Sequence, residues 1–490
     1  ESYQKGLALS VEIGDKRGQA SALGGLAAAH AKKGDANKAI EFYQKGLALS
    51  VEIGDKHGQA SALGGLAAAH AKKGEANKAI EFYDRAQALN GEIGDKRGQA
   101  SALGGLAAAH AKKGDADKAI ESYQKGLALS VEIGDKRGQA SALGGLAAAH
   151  AKKGDANKAI EFHEKGLTLS VEIGDKHGQA SALGGIAAAE GAKGSVEKAI
   201  EFYDRAQALN GEIGDKVGRA SALGGLAAAY AKKGDADRAI EFYQMAQALN
   251  GEIGDKRGEA SALGGIAAAH ARKGDTDKAI QFFDRAQALN REVGNKRGQA
   301  SALCGIATAH ARRGNLDKAI EFYQRGLALR LETGDKRWQA SALGGIGAAY
   351  AKKGDANKAI EFHERALALS LEIGDKHGQA SAFGGIAAAH AKKGDANEAI
   401  VFYEMGLALS SEMGDKRGQA ASLGGMATIN ARSKDPKRAI KLYLKVLELN
   451  EQIGNRSFIS TTLRQLLRLA GTVGDQKLKQ WCEDRLRDHW

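Results

Sequence analysis

Residues 21–55 read SALGGLAAAHAKKGDANKAIEFYQKGLALSVEIGD, and close copies of this stretch fill most of the chain. Its first leucine, Leu23, recurs with a period of 40 residues. The equivalents are Leu63, Leu103, Leu143, Leu183, Leu223, Leu263, Leu303, Leu343, Phe383, Leu423 and Leu463. Such a fixed period is the signature of a repeat protein, in which each repeat stacks on its neighbours to bury its apolar face. Equivalent residues are named after the first repeat, so that Leu63 is a Leu23-type residue.

Pairs of glycine and aspartate divide each repeat into two segments. Gly14 and Gly34 suit helix C-termini, and Asp15 and Asp35, directly after them, suit helix N-caps. The only proline, Pro436, follows an aspartate in the first turn of a segment, where a missing N–H is tolerated. The pattern therefore predicts two helices per repeat.

Each predicted helix carries one stripe of apolar and small side chains at helical spacing. In the first helix the stripe consists of Ala20, Leu23, Ala27 and His30. In the second helix it consists of Ala39, Tyr43, Gly46 and Ser50, beside Ile40 and Leu47. The pattern predicts an all-α fold of antiparallel helix pairs in which one face of each helix is buried.

The period divides the chain into three parts. Residues 1–15 match the second helix of a repeat, residues 16–455 form eleven 40-residue repeats, and residues 456–490 form a degenerate hairpin. The hairpin is predicted to cap the stack, and the residues that break the repeat pattern there are Phe458, Leu466, Leu467, Trp481 and Trp490. Because the chain begins within a repeat, we expect further sequence before residue 1.

Composition argues against several classes of protein. No stretch reaches the roughly 20 apolar residues that span a bilayer, and the first residues lack a signal-peptide pattern. Cys304 and Cys482 lie far apart, which favours a reducing compartment over a secreted disulfide scaffold. The chain is therefore expected to be soluble and cytoplasmic, without a membrane contact. A formal charge of +12, from 71 basic and 59 acidic residues, permits acidic partners without indicating nucleic acid.

Residues that often serve in catalysis are plentiful but are not arranged as a site. Asp, Glu, His and Ser repeat along the array and do not converge on one pocket, as catalysis requires. The repeated His30-type histidines lie on different layers and lack the second close ligand that a zinc site needs. Neither the GG pair nor the GDKRGQ segment has the spacing of a phosphate-binding loop. We therefore predict no enzyme, no cofactor and no metal.

The repeat resembles the tetratricopeptide repeat. Leu26 and Ala27 stand where that family has a leucine and a small residue, and Ala39, Tyr43 and Gly46 stand at its Ala, aromatic and Ala positions. A leucine replaces the family's first-helix aromatic residue, and a histidine replaces its tyrosine. The 40-residue length is similar to that of the repeats in kinesin light chain and Pins/LGN. The resemblance implies an open right-handed superhelical solenoid that binds proteins in a concave groove lined by the first helices.

A second stripe of the first helix should face that groove if Leu23 packs inward. It consists of Arg17, Ser21, Gly24, Ala28 and Lys32, so the groove has a floor of small residues and basic ends. The last of these recurs as a ladder of positive charge: Lys72, Lys112, Lys152, Lys232, Arg272, Arg312, Lys352 and Lys392. The expected partner is an acidic protein or peptide segment. Nucleic acid is disfavoured, because the stripe offers no aromatic side chains on which bases could stack.

Three of these features also admit a plainer interpretation. The Lys32-type ladder can be a solvated face, since a cation near a helix C-terminus is favoured by the helix dipole. Trp338, which replaces a Gly18-type glycine, is either a binding anchor or the filler of a local gap. Cys304 replaces a Gly24-type glycine and would act in the groove as a small apolar group.

The leading prediction is a protein-interaction scaffold. One alternative is the sensing region of a larger signalling receptor, whose NTPase or effector domain would precede residue 1. Another is a structural spacer. A third alternative is end-to-end self-association through the uncapped first layer, which contains Leu7, Leu9 and Val11.

Overall fold

The computed structural model of the chain describes residues 2–433 and 435–488, except for the side chain of Asp488. It divides into two compact units, residues 1–249 and residues 250–490. All regular secondary structure in the described residues is helical. The predicted Trp490 lies outside these residues.

Within residues 2–249 the first unit has twelve helices and most of a thirteenth. They are α1 (Ser2–Glu12), α2 (Lys16–Lys32), α3 (Ala36–Glu52), α4 (Lys56–Lys73), α5 (Ala76–Glu92), α6 (Lys96–Lys113), α7 (Ala116–Glu132), α8 (Lys136–Lys152), α9 (Ala156–Glu172), α10 (Lys176–Lys193), α11 (Val196–Glu212), α12 (Lys216–Lys233) and α13 (Ala236–Glu252). Even-numbered helices are the first helices of the repeats, and odd-numbered helices are the second.

The second unit begins within α13 and continues the same alternation. Its helices are α14 (Lys256–Lys273), α15 (Thr276–Glu292), α16 (Lys296–Arg312), α17 (Leu316–Glu332), α18 (Lys336–Lys353), α19 (Ala356–Glu372), α20 (Lys376–Lys393), α21 (Ala396–Glu412), α22 (Lys416–Arg432), α23 (Pro436–Ile453), α24 (Arg456–Val473) and α25 (Gln476–Asp488). The all-α fold of repeated helix pairs is thereby confirmed. Among the described residues, no helix combines the length and the apolar content needed to cross a membrane.

The helix boundaries follow the predicted glycine and aspartate pairs. Asp35 accepts a hydrogen bond of 3.1 Å from the backbone N–H of Lys38, and so satisfies one of the free donors at the start of α3. Gly34 precedes it with a φ of +86°, a conformation that side chains with a Cβ rarely adopt. Pro436 occupies the first turn of α23, as predicted.

The centre of each repeat is formed by the Leu26-type residue of the first helix. In the first unit Leu66, Leu146, Ile186 and Leu226 are less than 2% exposed, and in the second unit Ile266, Ile306, Ile346 and Ile386 are equally buried. Full burial of one such side chain stabilises the fold by about 1.5–3 kcal/mol. The core is therefore a series of thin layers, one for each repeat.

The terminal hairpin buries some of the residues that distinguish it and exposes others. Leu466 is fully buried beside Cys482, and Leu467 packs against the same cluster. Phe458 and Trp481 are instead exposed, at 59% and 38%. These two aromatic residues therefore lie on the surface of the hairpin.

Close packing between repeats explains one of the two adjacent glycines of the first helix. The ring of Tyr43 on α3 lies against Gly65 on α4, and a Cβ at that glycine would overlap the ring. Tyr83 lies in the same way against Gly105. Only glycine lets the aromatic side chain of one repeat approach the helix backbone of the next this closely.

The His30-type histidines pack inside the repeat. His70 stacks on Phe82 with ring centroids 5.3 Å apart, and its Nδ1 lies 2.7 Å from an oxygen of Glu75. Hydrogen bonds from His70, then Lys73 and Lys78, lower the pKa of Glu75 to about 2. These contacts agree with the structural role predicted for the histidines.

Two other histidines, His163 and His363, occupy the Tyr43-type position, and burial lowers the pKa of both. Each is stabilising while neutral, so its contribution is complete above the unfolded pKa of about 6.5 and is lost as pH falls through the folded pKa. We expect the thermal midpoint of the chain to fall between about pH 7.5 and about pH 5.5. His163→Tyr with His363→Tyr, which restores the residue of other repeats, should reduce that fall. Circular dichroism melts across this range measure it, and parallel curves for parent and variant would contradict the assignment.

Candidate functional site

The first helices of successive repeats border open cavities within each compact unit. In the first unit a cavity of about 720 Å³ is bordered by α1 to α4, one of about 450 Å³ by α4 to α6, and one of about 850 Å³ by α6 to α8. In the second unit a cavity of about 350 Å³ is bordered by α14 to α16, and one of about 700 Å³ by α18 to α20. We call the surface formed by the Arg17-, Ser21-, Gly24- and Ala28-type residues the groove of each unit.

Four of the five residues in the predicted stripe lie together in this groove. Arg17, Ser21, Gly24 and Ala28 all line the cavity of about 720 Å³. These four residues therefore share one face of α2 and one cavity. Lys32, the fifth residue, is exposed but is not part of the cavity lining.

The arginines at the rim of the groove are paired with acid groups of the next repeat. Arg17 Nε lies 3.4 Å from an oxygen of Asp55, and Arg97 Nε lies at the same distance from Asp135. The pKa of Asp135 is lowered, first by the backbone N–H of Gly138 and then by the charge of Arg97. The rim therefore presents guanidinium groups whose charge is partly balanced, on side chains that are largely exposed.

The Gly24-type glycines have no packing reason to be glycine. A Cβ added at any of them would meet no heavy atom within 4 Å, in contrast to the Gly25-type glycines directly after them. The residues are Gly24, Gly64, Gly104, Gly144, Gly184, Gly224, Gly264, Gly344, Gly384 and Gly424. A glycine within a helix is about 1 kcal/mol less favourable than alanine. A repeat with a Gly24-type glycine is therefore less stable than it would be with alanine at that position. In return, the floor of the groove there is the bare helix backbone.

The lysine ladder forms bonds between repeats. Lys72 Nζ donates to the backbone carbonyl of Ala31 at 2.9 Å, near the end of the preceding first helix. Lys112, Lys152, Lys232, Arg312, Lys352 and Lys392 make the equivalent bond. A cation at this place satisfies a helix C-terminal carbonyl and complements the helix dipole. These side chains therefore have a structural role, in addition to any that they have toward a partner.

Trp338 and Cys304 lie at the groove of the second unit. Trp338 is 50% exposed, lines the cavity of about 700 Å³ and has the guanidinium carbon of Arg330 5.1 Å from its ring. Cys304 faces α17, where a Cβ at Gly326 would lie 2.9 Å from its sulfur. Burial raises the pKa of the Cys304 thiol, so the group stays protonated and apolar.

The sequence pattern missed the Tyr43-type residues as part of the groove. They were assigned to a buried stripe, but Tyr43 and Tyr123 also line cavities. The hydroxyl of this residue type reaches the floor, because Tyr323 Oη lies 2.8 Å from Thr308 Oγ1 at an Ala28-type position. An amphipathic tyrosine with one polar end is the signal that could have indicated this.

Among the described residues, no group of three or more His, Cys, Asp or Glu side chains could hold a metal ion. The chemical groups along the groove are hydroxyl groups, aromatic edges and exposed guanidinium groups.

Comparison with known proteins identifies the repeat. A family model described as tetratricopeptide repeat matches residues 18–92, 98–172, 178–250, 258–332 and 338–412. No curated protein sequence matches the chain significantly.

Three solved structures of similar fold have low sequence identity to the chain. Yeast Tom70 is 17% identical, with 93% of this chain and 99% of that chain covered and a TM-score of 0.45. A signal transduction ATPase with a tetratricopeptide repeat sensor from Pyrococcus horikoshii is 17% identical, with 68% and 53% covered and a TM-score of 0.48. BtubC from P. vanneervenii is 20% identical, with 45% and 91% covered and a TM-score of 0.38.

The two adjacent glycines of a first helix should respond oppositely to substitution. Gly64→Ala should stabilise the chain by about 1 kcal/mol, because the methyl group enters open space and alanine favours the helix. Gly65→Ala should destabilise it by about 1–3 kcal/mol, because the methyl group overlaps the ring of Tyr43. Urea denaturation of the two variants measures both changes. Shifts of the same sign would contradict the different roles assigned to these glycines.

The lysine ladder can be tested by removing its charge while keeping its length. Lys72→Met, Lys112→Met and Lys152→Met together should lower the thermal midpoint, since three helix C-termini each lose about a few tenths of a kcal/mol. The matched control replaces the same residues by arginine, which makes this bond at Arg312. Thermal melts that do not separate the methionine variant from the arginine variant would exclude the capping role.

Proposed function

Because the chain belongs to the tetratricopeptide repeat family, we propose that it is a non-enzymatic scaffold that binds a segment of a partner protein in its groove. Members of this family generally mediate protein–protein interactions and generally have no enzymatic activity of their own. The groove is proposed to be the binding surface, with the first helices as its floor.

The observation that carries the proposal is the row of Gly24-type glycines. Their Cβ positions face open space, so the fold gains nothing from the absence of a side chain. A guest gains from it, because its main chain or a helix can approach the first-helix backbone closely. Sites that break a local stability rule without a structural return are expected to be functional.

The polar groups around this floor suit a peptide chain. Exposed Ser21-type hydroxyls lie on the floor, and Tyr43-type rings form one wall of the cavities. Hydroxyl groups at this spacing can donate to and accept from the main chain of a guest. Since the same groups return with each repeat, a longer guest makes more contacts, and its affinity should rise with length.

An acidic guest is the favoured chemistry. Arg17-type arginines line the rim, and their present partners are Asp55-type carboxylates at 3.3–3.7 Å. A guest carboxylate can join such a pair without displacing it, since a guanidinium has five N–H donors. Each contact is exposed, so it contributes little alone and weakens with salt.

A selection from displayed random peptides of about fifteen residues tests the proposal with a defined probe. The parent chain should enrich acidic peptides that bind more weakly as salt is raised. Gly264→Leu, Gly344→Leu and Gly384→Leu together should weaken binding of these peptides at least about tenfold, because three side chains then fill the floor. Leucine favours a helix more than glycine does, so the fold should persist.

The matched control places three leucines on the second helices instead. Ala288, Ala328 and Ala368 are exposed and line neither of the two cavities described in the second unit. Their replacement by leucine should leave peptide binding unchanged. Loss of binding in this control, or retention in the groove variant, would contradict a guest seated on the Gly24-type floor.

A further inference from the structure

Near-identical repeats give a guest no fixed position along the groove, since a shift by one repeat restores almost the same contacts. The groove of the second unit breaks this equivalence between α16 and α18. Cys304 replaces a Gly24-type glycine, Arg330 replaces a Ser50-type residue, and Trp338 replaces a Gly18-type glycine. These three changes lie close together, so they form one distinctive place in an otherwise repetitive surface.

Arg330 and Trp338 replace a pair of residues that are neighbours in the other repeats. At the equivalent place a Cβ on Gly58 would lie 2.6 Å from the hydroxyl of Ser50 and 2.8 Å from an oxygen of Asp55, so a side chain there requires these groups to move. Here the Ser50-type and the Gly58-type residues are both replaced. The guanidinium carbon of Arg330 lies 5.1 Å from the Trp338 ring centroid, which is cation–π distance.

Arg330 is held from several directions although it is buried. Its side chain is 3% exposed, Nη2 donates to Ser301 Oγ at 2.6 Å, and Nη1 lies 3.5 Å from an oxygen of Asp335. Its buried Nε has no hydrogen-bond partner. A buried charge with an unmade hydrogen bond opposes stability, so the arginine needs a reason other than packing.

The same cluster disturbs the start of α18. Asp335 makes no side-chain hydrogen bond as N-cap, whereas Asp375 accepts from the Gly378 N–H at 3.2 Å in the next repeat. The Asp335 carboxylate lies between Arg330 and Arg297, at 3.5 Å and 3.7 Å. Loss of a cap is worth about 1 kcal/mol. Three unfavourable or unusual features therefore occur at one place. They are the buried Arg330, the N-cap residue Asp335 without its capping hydrogen bond, and the half-exposed indole of Trp338.

The geometry of Trp338 suits a contact with a guest. Its ring borders the open cavity of about 700 Å³, whose floor includes Ser341, Gly344 and Ala348. Because Arg330 holds one face of the indole, the ring is fixed in position before a guest arrives, which reduces the entropy lost on binding. A large rigid aromatic residue beside a floor of small residues is the usual composition of a binding hot spot.

We propose that Trp338, positioned by Arg330, is an anchor that receives one aromatic side chain of the guest and thereby fixes the guest's register in the groove. This inference rests on the proposed function. An aromatic residue is favoured over a cationic one, because Arg330, Arg297 and Arg337 already surround the site with positive charge. Aromatic rings stack favourably on an indole with an offset and fill the space above small residues.

The test compares the parent with Arg330→Ser plus Trp338→Gly, which restores the residues found at Ser50 and Gly58. Peptides enriched by the parent from a displayed random library should share one aromatic residue. The variant should bind them at least about tenfold more weakly, as expected for loss of a hot-spot aromatic. Changing the shared aromatic residue of the peptide to alanine should weaken binding to the parent, but have little further effect on the variant.

Trp481 provides a matched control, since it is 38% exposed and has Arg485 5.2 Å from its ring. Trp481→Phe should leave peptide binding unchanged. The Arg330→Ser plus Trp338→Gly variant should also melt at a higher temperature than the parent, because the helix cap is restored and a buried charge is removed.

The outcomes separate this anchor from the groove itself. Enriched peptides that lack a shared aromatic residue, or that bind the variant as tightly as the parent, would overturn the anchor and leave the scaffold proposal standing. A variant that melts at a lower temperature would show that Trp338 and Arg330 serve packing, which also overturns the anchor. If the parent enriches no peptide at all, both proposals fail.

Discussion

The contact between a Tyr43-type ring and a Gly25-type glycine sets the geometry on which the repeats depend. Tyr43 lies on the bare backbone of α4 at Gly65, and the same contact returns in both units. Within each unit it brings the second helix of one repeat close to the first helix of the following repeat. The Leu26-type residues are then buried in thin layers, and each repeat depends on its neighbours for a complete core.

The same stacking creates the groove. The Tyr43-type ring covers one glycine of the GG pair and leaves the other, at the Gly24-type position, facing open space. The two adjacent glycines are therefore required for different reasons. The Gly25-type glycine allows the repeats to pack, whereas the Gly24-type glycine keeps open a surface that packing does not require. The Gly25-type residue serves the architecture of the repeat, and the Gly24-type residue beside it serves the proposed function.

Most of the fold could be predicted from the sequence because its determinants are local. Gly34 and Asp35 end and start helices through contacts within a few residues, so their pattern was sufficient. Helical spacing also puts Ser21 and Gly24 on one face of the first helix once Leu23 is placed inside, and both line the same cavity. Periodicity is strongest as evidence where the same short pattern recurs many times.

Contacts between repeats could not be predicted in this way. The bond from Lys72 joins it to Ala31, a carbonyl 41 residues earlier, and no pattern within one repeat indicates that partner. The pairing of Arg330 with Trp338 likewise requires knowledge of which residues face each other across two helices. The sequence marked Trp338 as exceptional, but only its neighbours show that the indole is held in place and half exposed.

The proposed function depends on a guest that lies on the Gly24-type floor. The most direct measurement replaces Gly384 by the photoreactive residue p-benzoylphenylalanine and cross-links the chain to a bound guest peptide, with the same residue at the exposed Ala368 of α19 as comparison. We expect a cross-linked peptide from position 384 and none from position 368. Cross-linking from position 368 alone, or equally from both, would contradict a guest seated on this floor.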